Sequence, residues 1–317
     1  MNVLPFLELI RDELALVEEK IRNLEEVQYD PLVEAFSALM ASGGKRLRPA
    51  VVILCSKFFS GVELPRVVAL AAAVETLHTA TLVHDDVIDG ALIRRGNPTL
   101  NAIWSGGATV LAGDYLFARA AGFAAETGNV DVMSVFARTL KTICDGELRQ
   151  LFTSLDWEQP RDAYYERIFS KTASLFMSAS ESVGLLAAAT PPQMQSLRDF
   201  GYNIGMAFQI VDDILDFVGD EKVLGKPVGS DLRQGTITLP VYYFIQQHPE
   251  VRVPEVYESG DVERLIARIR DSEAIPAAQA EAEAFAQKAE KALDIFPPGA
   301  YHQAMLSLAR YVVARRW

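Results

Sequence analysis

Apolar residues recur every three or four positions along most of this chain, which is the spacing of amphipathic α-helices. Residues 5–27 show the pattern first, and a short second helix is predicted after Pro31. Further helices are predicted at about 50–59, 65–89, 107–126, 130–154, 161–189 and 191–218, with shorter ones towards the C-terminus. Long alternation of apolar and polar residues, as in a half-buried strand, is hard to find. The sequence therefore predicts an all-α fold.

Three segments interrupt this helical pattern. SGGKRLRP (42–49) combines two glycines, three basic residues and a proline, GALIRRGNP (90–98) carries two arginines, and GDEKVLGKPVGSDLRQGTITLP (219–240) is rich in glycine and charge. The last is too long for a simple turn, and long loops in compact domains are often functional. No linker composition or short repeat divides the chain, so a single domain over residues 1–317 is predicted.

The composition fits a globular protein with a large core. Of the 317 residues, 50% are hydrophobic and 23% are charged, which argues against disorder. The net charge of −12 disfavours nucleic acid as a partner, because phosphate backbones are bound by clustered Lys and Arg. The two cysteines form no CxxC motif, so neither a zinc site nor a disulfide framework is indicated.

Targeting and membrane segments are not expected. The N-terminal stretch is acidic and lacks the basic and apolar regions of a signal peptide. No apolar run reaches the roughly 18 to 20 residues of a transmembrane helix. A cytoplasmic protein without a transmembrane segment is predicted.

Two aspartate clusters share one pattern, with carboxylates at positions i, i+1 and i+4 after an apolar helical run. They are Asp85, Asp86 and Asp89 in LVHDDVID, and Asp212, Asp213 and Asp216 in QIVDDILD. In a helix, the first and last carboxylates of each cluster lie one turn apart on one face, where like charges favour a cation between them. One such cluster is usually a solvated helix end, but two matching clusters indicate two halves of one cation site. Hard oxygen ligands favour Mg²⁺ shared with a phosphate.

Basic residues follow both clusters at short distance, and others lie in a glycine-containing loop earlier in the chain. Arg94 and Arg95 lie just after the first cluster, Lys226 follows the second in a glycine-rich loop, and Lys45 and Arg48 lie in GGKRLRP. Short basic runs usually only solvate a loop. Here, however, glycines allow close approach of a ligand, and guanidinium groups bind phosphate in a bidentate manner. The pattern predicts a polyphosphate held between metal ions and basic side chains.

Seven stretches resemble the trans-isoprenyl (polyprenyl) diphosphate synthase family, long-chain type. They are GGKRLRP, ETLHTATLVHDDVID, RRGNPT, GDYLFARA, KTASLF, FQIVDDILD and GKPVGSDLRQGTITLP, in the family's order over residues 43–240. The resemblance implies a single-domain helical bundle around a central elongated cavity, usually as a homodimer. It also implies Mg²⁺-dependent, head-to-tail condensation of an allylic diphosphate with isopentenyl diphosphate, with three metal ions per active site when substrate is bound.

The resemblance implies roles for individual residues. Metal ions on the allylic diphosphate are bound by Asp85 and Asp89 with support from Asp86, and a third ion by Asp212 with help from Asp213 and Asp216. The allylic diphosphate is contacted by Arg94, Lys171 and Lys226. The isopentenyl diphosphate site is formed by Lys45, Arg48, His78 and Arg95. The reacting carbons are faced by Thr172 and Gln209. Without the motifs, His78 is equally a core histidine, Lys171–Thr172 a polar start to a helical face, and Gln209 a supporting hydrogen-bond donor.

One position departs from the family pattern. Thr236 stands where many members have Lys, which removes one cationic contact to the allylic diphosphate. Long-chain members share such a replacement, so loss of function is not inferred.

Small residues precede the first aspartate cluster along its helix. In this family the position of Ala80 lies under the growing chain, where a bulky aromatic side chain blocks elongation. Thr76, Ala73 and Ala69 continue this column for about 16 Å at 1.5 Å per residue. Tight helix packing explains small residues as well, above all at Ala73 and Ala69. A product of more than twenty carbons is predicted.

Three other functions remain open. A short-chain farnesyl or geranylgeranyl diphosphate synthase differs in product length alone. A class I terpene cyclase needs an (N/D)DxxSxxxE second motif, which QIVDDILDFV lacks, and a non-catalytic subunit of a heteromeric synthase usually lacks an aspartate cluster. The C-terminal YVVARRW is compatible with a transient membrane contact for product release, and equally with packing in a dimer or in the core.

Overall fold

The computed structural model describes residues 4–25, 27–41, 44–94, 96–153, 155–220 and 227–315. Regular structure in these ranges is almost entirely α-helical, which confirms the predicted fold class. The earlier helices are α1 Pro5–Glu8, α2 Arg11–Arg22, α3 Asp30–Ala41, α4 Leu47–Ser56, α5 Leu64–Ile88, α6 Leu100–Ile103, α7 Gly106–Glu126 and α8 Val130–Thr153. The later ones are α9 Arg161–Ile168, α10 Ser174–Leu186, α11 Pro191–Val218, α12 Ser230–Arg233, α13 Leu239–Gln247, α14 Val253–Glu258, α15 Val262–Arg270, α16 Ala274–Ala292 and α17 Ala300–Ala314.

The first predicted helix, 5–27, is two helices rather than one. Ile10 leaves the helical region with φ −129° and ψ 21°, which separates α1 from α2. Both Phe6 and Ile10 are buried, at 4% and 0% exposure. Burial of these two side chains therefore outweighs the local preference for a continuous helix.

A π-helical turn divides the helix predicted at 161–189. Phe169–Ala173 forms this turn between α9 and α10, and it contains Lys171 and Thr172. Single π turns inside helices are rare and are often found at functional sites. Both residues of this turn that the family resemblance assigns to the active site, Lys171 and Thr172, therefore lie in irregular helical backbone.

The predicted loop at 90–98 contains a short antiparallel hairpin. Strand β1, Ile93–Arg94, pairs with β2, Asn97–Pro98, so that Arg94 lies opposite Asn97. Gly96 occupies the turn with φ +78°, a conformation that costs glycine little because it has no Cβ.

The described residues form two compact units. The first consists of residues 4–138, 178–198 and 294–307, and the second of residues 139–177, 199–293 and 308–315. The single domain over residues 1–317 stays a prediction.

Helix α5 is the core element of the first unit. It packs against α2, α4 and α7, and its side chains from Val67 to Leu77 are all buried. A helix that is apolar on all sides is stable in water only when it is enclosed by neighbours, as α5 is. This helix positions the first aspartate cluster at its C-terminal end.

Among the described residues, α5 is also the helix that is long and apolar enough to cross a membrane by length and composition. The sequence did not indicate a membrane-spanning helix here, because Glu75 and His78 interrupt the apolar run. Within its most apolar stretch 72% of the residues are buried in the protein, as is usual for a helix in the core of a globular fold.

The core of the second unit forms where α11 and the π turn meet α13 and α16. Helix α16 contributes buried alanines one turn apart, among them Ala278 and Ala282. Gly205 on α11 approaches the π turn so closely that a Cβ there would lie 2.5 Å from Cα of Ala173. This close contact holds the π turn and α11 in one arrangement.

Candidate active site

The first aspartate cluster forms the last turn of α5. Asp89 is the C-cap residue, and its amide donates to the carbonyl of Asp85 at 2.8 Å. Asp85 is half-buried and Asp89 exposed, whereas Asp86 is buried at 4% exposure. The carboxylates at i and i+4 are therefore the more accessible pair, as the helical spacing predicts.

Asp86 points into the protein and binds Arg94. The Arg94 Nε donates to Asp86 Oδ1 at 2.7 Å, and the Asp86 carbonyl accepts from Asn101 Nδ2 at 3.3 Å. Burial raises the pKa of Asp86, although the charge and hydrogen bond of Arg94 oppose the shift. Asp86 thus anchors the hairpin that carries Arg94 to the end of α5.

Three of the residues predicted to bind isopentenyl diphosphate are among the described residues, and all three lie in the first unit. Lys45 is exposed and Arg48 half-buried at the start of α4, and His78 is half-buried on α5. Arg95 lies outside the described residues. Lys226, predicted to contact the allylic diphosphate, lies outside them as well.

The column of small residues before the first cluster is buried throughout. Ala80, Thr76, Ala73 and Ala69 are exposed by 0%, 1%, 1% and 2%. Ala80 belongs to an apolar cluster that also contains Phe36. Burial is what either a covered tunnel wall or tight helix packing requires, so the role of this column stays a prediction.

In the second cluster, Asp213 is an internal carboxylate with both oxygens engaged. Its Oδ1 accepts from Gln209 Nε2 and its Oδ2 from the Tyr164 hydroxyl, each at 2.8 Å. Burial, with the charge of Asp231 adding to it, raises the pKa of Asp213 to about 7, although the two hydrogen bonds oppose the shift. A carboxylate so occupied serves better as support for its neighbours than as a direct metal ligand.

Asp216 secures the later part of the glycine-rich loop, at Gly229 and Asp231. Its carbonyl accepts from the Gly229 amide at 2.7 Å, and its Oδ2 accepts from the Asp231 amide at 3.1 Å. Gly229 has φ +69°, and a Cβ there would lie 2.4 Å from Ile266 Cδ1, so glycine is required on both counts. Thr236, the departure from the family pattern, donates its amide to the Asp231 carbonyl at 2.9 Å.

Asp212 is the more accessible carboxylate of the second cluster. Its side chain is 40% exposed, and Oδ1 accepts from Arg315 Nη2 at 2.7 Å. The same guanidinium donates to the carbonyl of Phe208 at 2.6 Å and lies 3.7 Å from the centre of its ring. Arg315 therefore neutralises Asp212 in this structure.

The π turn presents Lys171 and Thr172 to other polar side chains of the second unit. Lys171 Nζ lies 2.7 Å from Glu147 Oε1. The Thr172 hydroxyl donates to Gln209 Oε1 at 2.6 Å, and Gln209 in turn donates to Asp213. The resulting relay fixes the orientation of the Gln209 amide, which the sequence alone left undefined.

The carboxylates fit divalent metal ions by their chemistry, although the described residues contain no group of three His, Cys, Asp or Glu side chains already gathered to hold one. Asp85 and Asp89 offer oxygen ligands one helical turn apart, and Asp212 is accessible. Divalent ions such as Mg²⁺ use one or two carboxylates and take their remaining ligands from water and phosphate. The absence of a three-carboxylate group is therefore compatible with ions that arrive with substrate.

Sequence reasoning missed the partners that hold these residues. They are Glu147, Tyr164 and Arg315, which bind Lys171, Asp213 and Asp212. None carries a local signal, because each lies tens of residues from its partner in the chain. Only the packing of the helices brings them together.

Comparison with known proteins places the chain in a family. The profile of the family described as polyprenyl synthetase matches residues 30–269. Component 2 of heptaprenyl diphosphate synthase from Geobacillus stearothermophilus is 41% identical over 311 residues, which cover 96% of this chain and 97% of that protein.

Solved structures agree with this match. Heptaprenyl diphosphate synthase from Staphylococcus aureus has a TM-score of 0.92 at 33% identity, covering 97% of this chain and 99% of that one. A polyprenyl synthase from Caulobacter crescentus, in complex with calcium and isoprenyl diphosphate, has a TM-score of 0.89 at 36% identity, covering 98% and 97%. The resemblance inferred from seven sequence stretches is confirmed, and the chain belongs to the polyprenyl synthetase family.

Proposed function

We propose that this enzyme condenses an allylic diphosphate with isopentenyl diphosphate, head to tail and repeatedly, to give an all-trans polyprenyl diphosphate of more than twenty carbons. Family membership supports the reaction type. The observation that carries the proposal for this chain is that both aspartate clusters end long helices, and each is braced by a buried carboxylate, Asp86 or Asp213.

The accessible carboxylates are proposed to hold Mg²⁺, three ions per active site with substrate bound. The ions supply positive charge that stabilises the diphosphate as it leaves the allylic carbon. Asp85 and Asp89 bind on the first cluster, and Asp212 on the second. Support comes from the calcium and isoprenyl diphosphate in the Caulobacter crescentus relative, since calcium and magnesium share a preference for oxygen ligands.

Cationic side chains are proposed to share the diphosphate charge. Arg94, Lys171 and Lys226 bind the allylic diphosphate, and Lys45, Arg48, His78 and Arg95 bind isopentenyl diphosphate. Arg94 is already held in place by Asp86, which lowers the cost of ordering it on binding. Thr172 and Gln209, oriented by their mutual hydrogen bond, present dipoles to the carbocation.

A long product is supported by the names of the relatives and by the small side chains on α5. Two of them are named heptaprenyl diphosphate synthases, and a heptaprenyl chain exceeds four isoprene units. Ala80, with Thr76 and Ala73 below it, leaves room where an aromatic side chain would stop elongation. Chain length then depends on how far this column remains open.

A homodimer acting in the cytoplasm is proposed, with product release at a membrane surface through a transient contact. Apolar side chains are exposed at Ile103, the last residue of α6, by 64%, and at Leu111 on α7, by 68%. Exposed apolar side chains of this kind support the proposed interface, because protein interfaces bury apolar surface. One relative is named component 2 of its enzyme, which favours a second candidate, a catalytic subunit that needs a partner chain.

Incorporation of labelled isopentenyl diphosphate by the lone purified protein tests the proposal. With farnesyl diphosphate as primer, we expect incorporation that requires Mg²⁺ and is abolished by EDTA. Asp85→Asn should lower the rate by several orders of magnitude with an unchanged melting temperature. Activity that appears only after a partner chain is added would favour the heteromeric enzyme. No activity either with or without a partner chain would refute the proposed function.

A further inference from the structure

Arg46 differs from the two basic residues beside it in GGKRLRP. Its side chain is only 17% exposed, whereas Lys45 is exposed. Its backbone takes the left-handed conformation, with φ 49° and ψ 34°, immediately before α4. Residues other than glycine seldom adopt this conformation, and they persist in it where surrounding contacts compensate. Something in the first unit must therefore hold Arg46 in place.

The guanidinium of Arg46 joins three elements around it. Its Nη1 donates to Glu75 Oε1 at 2.8 Å on α5, and Nε donates to Glu18 Oε1 at 3.4 Å on α2. Nη2 donates to the carbonyl of Met40 on α3 at 3.4 Å. The shortest of these contacts, and the most buried, is the one to Glu75, whose side chain is 7% exposed.

This pair also defines where the basic loop lies along α5. Glu75 precedes His78 by three residues, which places both on one side of the helix. The carbonyl of Arg46 accepts from the Ala50 amide at 3.0 Å and so begins the hydrogen bonding of α4. Arg46 therefore fixes the start of α4 against the helix that carries His78, and Lys45 and Arg48 flank it in the chain.

We propose that Arg46 is a positioning residue for isopentenyl diphosphate: it does not touch the substrate, and its ion pair with Glu75 holds Lys45 and Arg48 in register with His78. The inference rests on the proposed function, because it takes these three residues as the isopentenyl diphosphate site. A buried ion pair suits the task, since its geometry is restricted and either partner alone is strongly unfavourable.

Loss of the Arg46–Glu75 pair should affect the KM values of the two substrates differently. Arg46→Met keeps most of the side-chain volume and removes the charge. We expect KM for isopentenyl diphosphate to rise about tenfold or more, as when charge-assisted contacts are misplaced, while KM for the allylic diphosphate changes little. Arg46→Lys should recover part of the effect, because a lysine keeps one contact to Glu75.

A double-mutant cycle with Glu75→Gln tests whether the pair acts as a unit. In an Arg46→Met background, Glu75→Gln should add little to KM for isopentenyl diphosphate, because the interaction is already lost. Glu18→Gln is the matched control, since Glu18 binds the same guanidinium by a longer contact with a 39% exposed side chain and should change KM little. Hydrogen exchange of a peptide spanning residues 44–56 should accelerate in Arg46→Met but not in Glu18→Gln.

Two further variants, Lys45→Met and Arg48→Met, separate failure of this inference from failure of the site assignment. If both raise KM for isopentenyl diphosphate and Arg46→Met does not, the positioning role is wrong and the site stands. If neither raises it, the site assignment is wrong and the inference falls with it. A purely structural Arg46 would instead show equal loss for both substrates in proportion to a lower melting temperature, and that too overturns the proposal.

Discussion

Arg315, the residue that follows α17, forms an ion pair with Asp212 of the second aspartate cluster, with 2.7 Å between Nη2 and Oδ1. The arginine side chain is 7% exposed, and the aspartate side chain is 40% exposed. A residue near the C-terminus thus provides the counter-ion of a carboxylate proposed to bind metal. A metal ion bound at Asp212 would compete with this guanidinium for the same carboxylate.

Arg315→Gln is expected to strengthen Mg²⁺ binding a few-fold, because the carboxylate loses a competing cation. Arg315→Gln also removes the hydrogen bond to the Phe208 carbonyl and the contact with its ring, so the melting temperature is measured beside the affinity. Calorimetric titration with Mg²⁺ in the presence of pyrophosphate measures the effect without turnover. Arg310→Gln on α17 is the control, since Arg310 binds Glu290 at the surface. Weaker Mg²⁺ binding in Arg315→Gln would show that Arg315 assists the metal instead of competing with it.

Asp86→Asn is expected to act through Arg94 and not through metal ligation. Losing the charged hydrogen bond at 2.7 Å should raise KM for the allylic diphosphate about tenfold, given roughly 1.5 to 3 kcal/mol for such a bond. Turnover at saturation should fall much less than in Asp85→Asn. Steady-state kinetics of the two variants decide the matter. Equal loss of turnover and of Mg²⁺ binding in both would make Asp86 a direct ligand.

Ala80→Tyr is expected to shorten the product while leaving the melting temperature nearly unchanged. If Ala80 lines a tunnel, the tyrosine ring occupies open space and blocks elongation. If Ala80 is packed in the core, overpacking costs about 1 to 3 kcal/mol and lowers the melting temperature. Ala71→Leu is the control, because Ala71 is fully buried on the opposite face of α5 at 100° per residue. Unchanged product length in a destabilised Ala80→Tyr would remove Ala80 from the tunnel wall.

The two cysteines are expected to differ sharply towards thiol reagents. Burial raises the pKa of Cys55 far above its ordinary value, and its side chain is fully enclosed. Cys144 is accessible at the surface, although partial desolvation of its thiol, together with the charge of Glu147, raises its pKa. The thiolate is the reactive form, so native protein should label at Cys144 alone and slowly near neutral pH, with faster labelling as pH rises. Mass spectrometry locates the label, and fast modification of Cys55 in folded protein would contradict its burial.

Much of this molecule could be predicted from sequence because its determinants are local or motif-based. The period of the apolar residues located α5, α7, α8 and α11 to within a few residues. The spacing of the aspartates placed Asp85 and Asp89 on one helix end. These patterns depend on neighbours in the chain, which sequence shows directly.

The remaining features depend on contacts between distant segments. The break at Ile10 results from burial against other helices, and the π turn at Phe169–Ala173 lies where Gly205 allows close packing. The partners Glu75 and Glu147 are likewise joined to Arg46 and Lys171 only by tertiary packing. No local pattern marks such residues. The sequence therefore identified the basic side chains but not the acidic partners that hold them in place.

Product analysis is the most direct test of the central claim, that this enzyme makes a long-chain polyprenyl diphosphate. Purified enzyme is supplied with farnesyl or geranylgeranyl diphosphate, excess labelled isopentenyl diphosphate and Mg²⁺, and the dephosphorylated products are separated by length. We expect products of more than twenty carbons from both primers. Products that stop at fifteen or twenty carbons would contradict it.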